Sequence, residues 1–147
     1  MIPYFRKCVQ NGNRILNLHD RRCTRFLLNF DEAISLLLKA LEGPPGLIWI
    51  KKAPSVYISS IITALGCEAK ETGLQSGEKL HESLLTVEEQ FRAYENDDNI
   101  IVLPPRTFDT EIKYDISGRM PVTHVYSSDN NTFLDVNQIK ARMATYD

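Results

Sequence analysis

Gly43-Pro44-Pro45-Gly46-Leu47-Ile48-Trp49-Ile50-Lys51-Lys52 is the stretch on which the reading of the fold turns. Two prolines between glycines stop any helix that arrives from the amino-terminal side. Leu47-Ile48-Trp49-Ile50 then shows no alternation, and an uninterrupted apolar run closed by two lysines reads as a strand covered on both faces, as in a parallel sheet. Upstream, Asn29 and Glu32 have the N-cap and N3 spacing of a capping box. Ala33, Leu36, Leu37, Ala40 and Leu41 follow at helical steps, with Ile34 and Leu38 widening the stripe. Downstream, Ala53-Pro54-Ser55 leads into a second helix with Ile58, Ile61, Ile62 and Leu65 on one side and Gly66 just past its end. Helix, strand, helix is the rhythm of an α/β chain, here in a single cycle.

Around this center the pattern is weaker. Pro3 starts a short helix through Gln10, ended at Asn11-Gly12, and Ile15 to Leu18 form a short strand. Residues 72–79 are a polar loop containing Gly73 and Gly77. Thr86 and Glu89 form a second capping box, opening a helix that fades near Tyr94. Ile100 to Leu103 is a strand stopped by Pro104-Pro105, residues 106–130 are polar and irregular, and Asp135 with Gln138 caps a last helix to about Met143.

The 147 residues suit one domain, and 24% charged with 43% hydrophobic residues excludes a disordered or low-complexity chain. No apolar run reaches the roughly 18 residues of a membrane span, and a net charge of -2 gives no footing for non-specific nucleic-acid binding. The first residues lack the basic-then-apolar layout of a signal peptide. Cys8, Cys23 and Cys67 are odd in number and far apart, as suits a reducing compartment, so a cytoplasmic location is expected. His19, His81 and His124 are equally scattered and point to no zinc site. Basic charge gathers at Arg14, Arg21, Arg22 and Arg25, which is either a solvated face or an anion site. There is no Gly-x-Gly-x-x-Gly, Walker loop or Gly-x-Ser-x-Gly elbow, and Glu88-Glu89 and Asp97-Asp98 read as solvated charge.

Six ordered motifs say more. They are Ile2-Pro3-Tyr4-Phe5-Arg6-Lys7, Thr24-Arg25-Phe26 with Asp31-Glu32-Ala33, Lys52-Ala53-Pro54, Gly77-Glu78-Lys79-Leu80-His81-Glu82, Pro104-Pro105 and Tyr126-Ser127-Ser128-Asp129-Asn130-Asn131. In that order and spacing the chain resembles the carboxy-terminal half of the UDP-N-acetylglucosamine 4,6-dehydratases. These form the capsular-polysaccharide branch of the extended short-chain dehydrogenase/reductases (SDRs), which includes dehydratase/5-epimerases. The resemblance runs from Ile2 to about Met143. It implies an α/β fold that is the substrate-binding part of an extended SDR, a partial Rossmann element plus a small α+β subdomain. Residues 1–147 would then be a single truncated domain without the NAD(P)-binding half.

The resemblance also implies roles. Arg25 stands where the wider superfamily places an arginine on the pyrophosphate of the nucleotide sugar, and a guanidinium fork suits phosphate oxygens. Leu16-Asn17 resembles the strand whose backbone reads the uracil edge, and Ile2-Pro3 the end of the loop over that base. Gln75-Ser76-Gly77-Glu78-Lys79 is similar to a family segment that reads Arg-x-Gly-Glu-Lys, in which Glu78 would accept from the ribose hydroxyls. Gln75 replaces the second phosphate-anchoring arginine and brings no charge.

The implied function is therefore that of a dehydratase-like lyase, possessing the UDP-sugar side and no catalytic residues. NADP or NAD is expected only if an amino-terminal half is supplied by another chain. The alternatives are a non-catalytic interaction protein or a gene remnant on the same scaffold. A strand buried on both faces but deprived of its sheet implies exposed apolar surface around Leu47, Trp49, Ile58 and Ile62, open to a homo-oligomer or an amino-terminal half.

Overall fold

The computed structural model of the chain describes residues 1–105 and 112–144. Part of the irregular stretch expected at 106–130, residues 106–111, lies outside the described residues, as do 145–147. The α/β class expected from the sequence is the class observed, with helices and short sheets mixed along the chain. The residues divide into two compact units, the first made of Met1–Leu27, Pro54–Glu82 and Ser128–Asp147, the second of Leu28–Ala53 and Ser83–Ser127.

In the first unit, α1 (Ile2–Gln10) opens with Pro3 in its first turn, where a missing N–H costs nothing. Strand β1 (Ile15–Leu18) alternates exposed and buried residues, so Leu16 and Leu18 face the core. It pairs in parallel with β5 (Glu68–Glu71), while β2 (Thr24–Phe26) pairs antiparallel with β4 (Ser55–Tyr57). β4 runs straight into α3 (Ile58–Ala64), which ends before Gly66 at φ +71. α5 (Val136–Met143) has the Asp135–Gln138 capping box in both directions, at 2.8 and 2.9 Å. One core joins these elements through Ile2, Phe5, Leu16, Leu18, Val56, Ile61, Ile62, Ile139 and others.

In the second unit, α2 (Phe30–Glu42) and α4 (Val87–Gln90) both carry the expected capping boxes, from Asn29 and Thr86. A four-stranded antiparallel sheet has the order β3 (Ile48–Lys51), β7 (Asn99–Val102), β6 (Ala93–Glu95), β8 (Met120–Pro121). The buried residues of this unit include Ile50, Leu85, Ala93, Ile100, Ile101, Val102, Val122 and Tyr126, whose hydroxyl donates to the Ala53 carbonyl at 3.0 Å.

Several expectations are corrected. The run Leu47–Ile50 supplies an edge strand in an antiparallel sheet, and of β3 only Ile50 is buried. The strand covered throughout is β7, because it lies inside the sheet with neighbors on both sides. An apolar run four residues long does not by itself distinguish the two positions. The helix begun at Thr86 stops at Gln90, and Tyr94 belongs to β6.

The expected apolar patch also differs. Ile62 is wholly buried and Ile58 packs on the first unit's core, since both sides of α3 are used. Trp49 is half-buried, with the Arg119 guanidinium 5.6 Å from its ring centroid. Exposed apolar side chains gather along α2, at Phe30, Ile34, Leu37, Leu38 and Leu41, and Ile48 of β3 is exposed as well. No residue of α2 is fully buried. No helix among the described residues is long and apolar enough to cross a membrane.

Candidate functional site

The first unit contains a cavity of about 390 Å³ lined by Met1, Tyr4, Phe5, Asn17, Leu18, His19, Cys23, Arg25, Ile58 and Glu78. That volume lies within the roughly 300–1,000 Å³ usual for small-molecule sites. Its walls come from α1, the end of β1, β2, the start of α3 and the turn around Gly77. Aromatic and aliphatic side chains share the lining with a guanidinium, an imidazole and a carboxylate, so one wall can take an apolar ring and another an anion or a diol.

Arg25 is held rather than loose. Its Nη1 donates to the Thr24 carbonyl at 2.7 Å and the Leu80 carbonyl at 3.1 Å, and Nη2 donates to the Lys79 carbonyl at 3.1 Å. Its Nε lies 3.4 Å from Glu82 Oε1. These contacts fix the guanidinium plane and occupy most of its five N–H donors. Below it, Thr24 and Ser128 are buried and share a hydroxyl–hydroxyl bond of 2.7 Å, and Thr24 Oγ1 also meets His81 Nδ1 at 2.8 Å.

Glu78 follows Gly77, which sits at φ +84 as third residue of a turn closed by Glu78 N–H donating to the Gln75 carbonyl at 3.1 Å. Its Oε1 hydrogen-bonds His19 Nδ1, and its Oε2 accepts from the Gln75 backbone N–H at 3.3 Å. The bond from His19, the Gln75 N–H and the nearby Arg25 charge hold the Glu78 carboxyl below the usual carboxylate range, against an opposing desolvation. Asp20 accepts from the Arg22 side chain and backbone, and its pKa is lowered to about 2.

Of the six residues to which the resemblance points, Asn17, Arg25 and Glu78 share the cavity. Leu16 has its side chain in the core, and its peptide belongs to β1, whose second edge carries no ladder in this two-stranded sheet. Pro3 is exposed in the first turn of α1, beside the lining residue Tyr4. Gln75 is exposed and reaches Glu78 through its backbone. The other members of the basic cluster are largely paired at the surface, Arg21 with Glu71 at 3.4 Å and Arg22 with Asp20 at 2.7 Å.

His19, Tyr4 and Cys23 line the cavity without having been singled out. His19 was legible: period-two alternation with Leu16 and Leu18 inward puts Asn17 and His19 on one side. Among the described residues, no group of three or more potential metal ligands is found. A dinucleotide's pyrophosphate is cradled at a glycine-containing turn from a strand into a helix. β2 leads into α2 through Leu27-Leu28-Asn29, and β4 joins α3 directly, so neither turn has the glycine that lets a pyrophosphate approach the backbone. These turns do not fit NADP or NAD.

A family model described as polysaccharide biosynthesis protein matches residues 1–104. Among curated proteins, the chain is 29% identical over 141 residues to UDP-N-acetylglucosamine 4,6-dehydratase (inverting) of Campylobacter jejuni strain 81-176, covering 89% of this chain and 42% of the relative. It is 28% identical over 156 residues to UDP-glucose 4-epimerase of Rickettsia conorii, covering 100% of this chain and 46% of the relative. Among solved structures, Pen from Bacillus thuringiensis matches 98% of this chain and 44% of its own, with a TM-score of 0.79 and 22% identity, a likeness of fold. The chain thus spans less than half the length of the proteins it matches.

Proposed function

The chain belongs to the polysaccharide biosynthesis protein family, and from that membership we propose that it is the nucleotide-sugar-binding part of a dehydratase- or epimerase-like protein, with a UDP-sugar as ligand. The observation that carries the reading is the cavity in which Asn17, Arg25 and Glu78, from three separate segments, stand together. Two of its relatives are named for UDP-N-acetylglucosamine and UDP-glucose, which share the UDP moiety and differ in the sugar. In this reading Arg25 faces the diphosphate, Glu78 the ribose diol, the open edge of β1 at Leu16-Asn17 the uracil, and Pro3 the rim above the base. Gln75 contributes an amide where the resembling segment has an arginine.

Oxidation and return of hydride are cofactor chemistry, and in this reading they require residues beyond those of this chain. The exposed apolar side of α2 supports a matching association: Ile34, Leu37, Leu38 and Leu41 would dock the NAD(P)-binding half, for which the greater length of the relatives leaves room. The same face is what an interaction protein on this scaffold would use, with docking but no turnover.

Two measurements test the proposal. UDP at a hundred times its Kd should stabilize the chain by about 2.7 kcal/mol, read as a raised Tm, whereas ADP should do much less. Mixed with NADP and UDP-N-acetylglucosamine, the chain alone should form no 4-keto product. Product from the isolated chain would overturn the division of labor, and stabilization by ADP and UDP alike would remove the uracil-specific site.

A further inference from the structure

His19 contributes a ring that lines the cavity, and its Nδ1 is committed to Glu78. A carboxylate only accepts hydrogen bonds, so the proton of that bond belongs to Nδ1. Nε2 has no hydrogen-bond partner among the described residues. In the neutral ring this nitrogen is an acceptor and repels a phosphate oxygen; in the imidazolium it is a charged donor. One proton therefore reverses what His19 offers an anion. The cavity needs such a donor, because Arg25 already gives three N–H bonds to the carbonyls of Thr24, Lys79 and Leu80 and faces Glu82 through Nε. Gln75 offers no charge.

We infer that His19, oriented by Glu78, is a second, proton-dependent anchor for the diphosphate of the bound nucleotide sugar. The inference rests on the nucleotide-sugar reading of the cavity and names a residue that the reading did not include. It makes affinity for the diphosphate rise as pH falls from about 8.5 to 6, because only the imidazolium donates from Nε2 as well as Nδ1.

The charged and titratable groups around the ring come from every neighboring element. Glu78 and Asp20 are held below the usual carboxylate range by their partners His19 and Arg22, so both stay ionized in this window. The Tyr4 hydroxyl is pushed up by its contact with Cys8, and the Cys23 thiol by burial, so both stay neutral. Arg25 stays charged throughout. His81 lies beyond Thr24, to which its Nδ1 is bonded at 2.8 Å. The effect of His19 must therefore be read against a variant that lacks only the imidazole.

Calorimetric affinities for UDP-N-acetylglucosamine and for uridine, from pH 6 to 8.5 with folding checked by circular dichroism at each pH, test the inference. The sugar-linked diphosphate does not titrate in this range, and uridine offers the base and diol without phosphate. The wild-type chain should bind UDP-N-acetylglucosamine about tenfold more tightly at pH 6 than at pH 8.5, the difference between a charge-assisted and a neutral contact. Uridine affinity should not change. His19→Gln should flatten the profile at the weak end, and His19→Lys should flatten it at the tight end by restoring a charge that does not titrate. A flat wild-type profile, an unchanged slope in His19→Gln, or an equal slope for uridine would each overturn the role of His19 while leaving the nucleotide site in place. No binding of either ligand at any pH would overturn the nucleotide reading and the inference with it.

Discussion

His19 Nδ1 is hydrogen-bonded to Glu78 Oε1 across 59 positions of sequence, joining the end of β1 to the turn around Gly77. The side chains are 35% and 23% exposed, so the pair is half-buried at the cavity wall rather than loose at the surface. One bond thus fixes both the imidazole and the carboxylate, and it does so beside an arginine whose plane is set by three backbone carbonyls. The cavity is built before any ligand enters, which is the condition for losing little free energy on ordering it.

The turn that delivers Glu78 depends on Gly77, at φ +84, a backbone region that residues with a Cβ rarely enter. Nothing lies within 4 Å of a Cβ placed there, so backbone conformation alone decides the outcome. Gly77→Ala should cost about 1–3 kcal/mol in urea denaturation, and weaken UDP binding by displacing Glu78. An unchanged midpoint would show that the turn tolerates alanine and that its geometry does not set the site.

The acid limb of stability should report Asp20. Its carboxyl ordinarily titrates near 3.8 and is lowered to about 2 by the Arg22 side chain and backbone N–H. A lowered folded-state pKa contributes stability that is fully present above the unfolded value and disappears as pH falls through the folded one. Denaturation midpoints of the wild-type chain should therefore decline between about pH 4 and pH 2, and Asp20→Asn should reduce that decline. Parallel acid limbs would show that the Asp20–Arg22 pair does not stabilize the fold.

Burial separates two leucine-like positions that the sequence made look alike. Ile62 is fully buried, and Ile62→Ala should cost about 2–5 kcal/mol. Leu37 on α2 is 59% exposed, and Leu37→Lys should change stability by no more than about 0.5 kcal/mol. If Leu37→Lys destabilized the chain as strongly as Ile62→Ala, the α2 face would be part of a core already formed.

This contrast shows what was legible. The three capping boxes at Asn29, Thr86 and Asp135 were readable because each depends on two residues three apart, and all three form. Arg25 and Glu78, marked by ordered motifs of the sequence, line one cavity. Strand β5 was not, since Glu68-Ala69-Lys70-Glu71 is made of helix-favoring residues and is a strand only because β1 pairs with it. Nor was the exposure of α2: a wide apolar stripe states that a helix has something to cover, not whether the cover lies in the same chain. The edge position of β3 was hidden for a similar reason, because its partner β7 lies about fifty residues on.

The support beneath Arg25 is a polar cluster in which Thr24 and Ser128 are buried and His81 is half-buried. Thr24→Val keeps the shape and removes the hydroxyl, and with it the bonds to Ser128 Oγ and His81 Nδ1, although Ser128 keeps the Glu82 N–H and the Thr24 carbonyl as partners. A cost of about 1–3 kcal/mol is expected in urea denaturation, whereas Thr24→Ser should retain most of the stability. Equal stability of the valine and serine variants would show that the cluster packs without depending on its hydrogen bonds.

The central claim is that this cavity binds the nucleotide of a UDP-sugar, and calorimetric titration with UDP tests it most directly. The account predicts saturable one-to-one binding, weakened about ten- to a hundredfold in Arg25→Ala, the loss of a charge-assisted contact worth about 1.5–3 kcal/mol. A chain shown to be folded that gives no heat with millimolar UDP would contradict it.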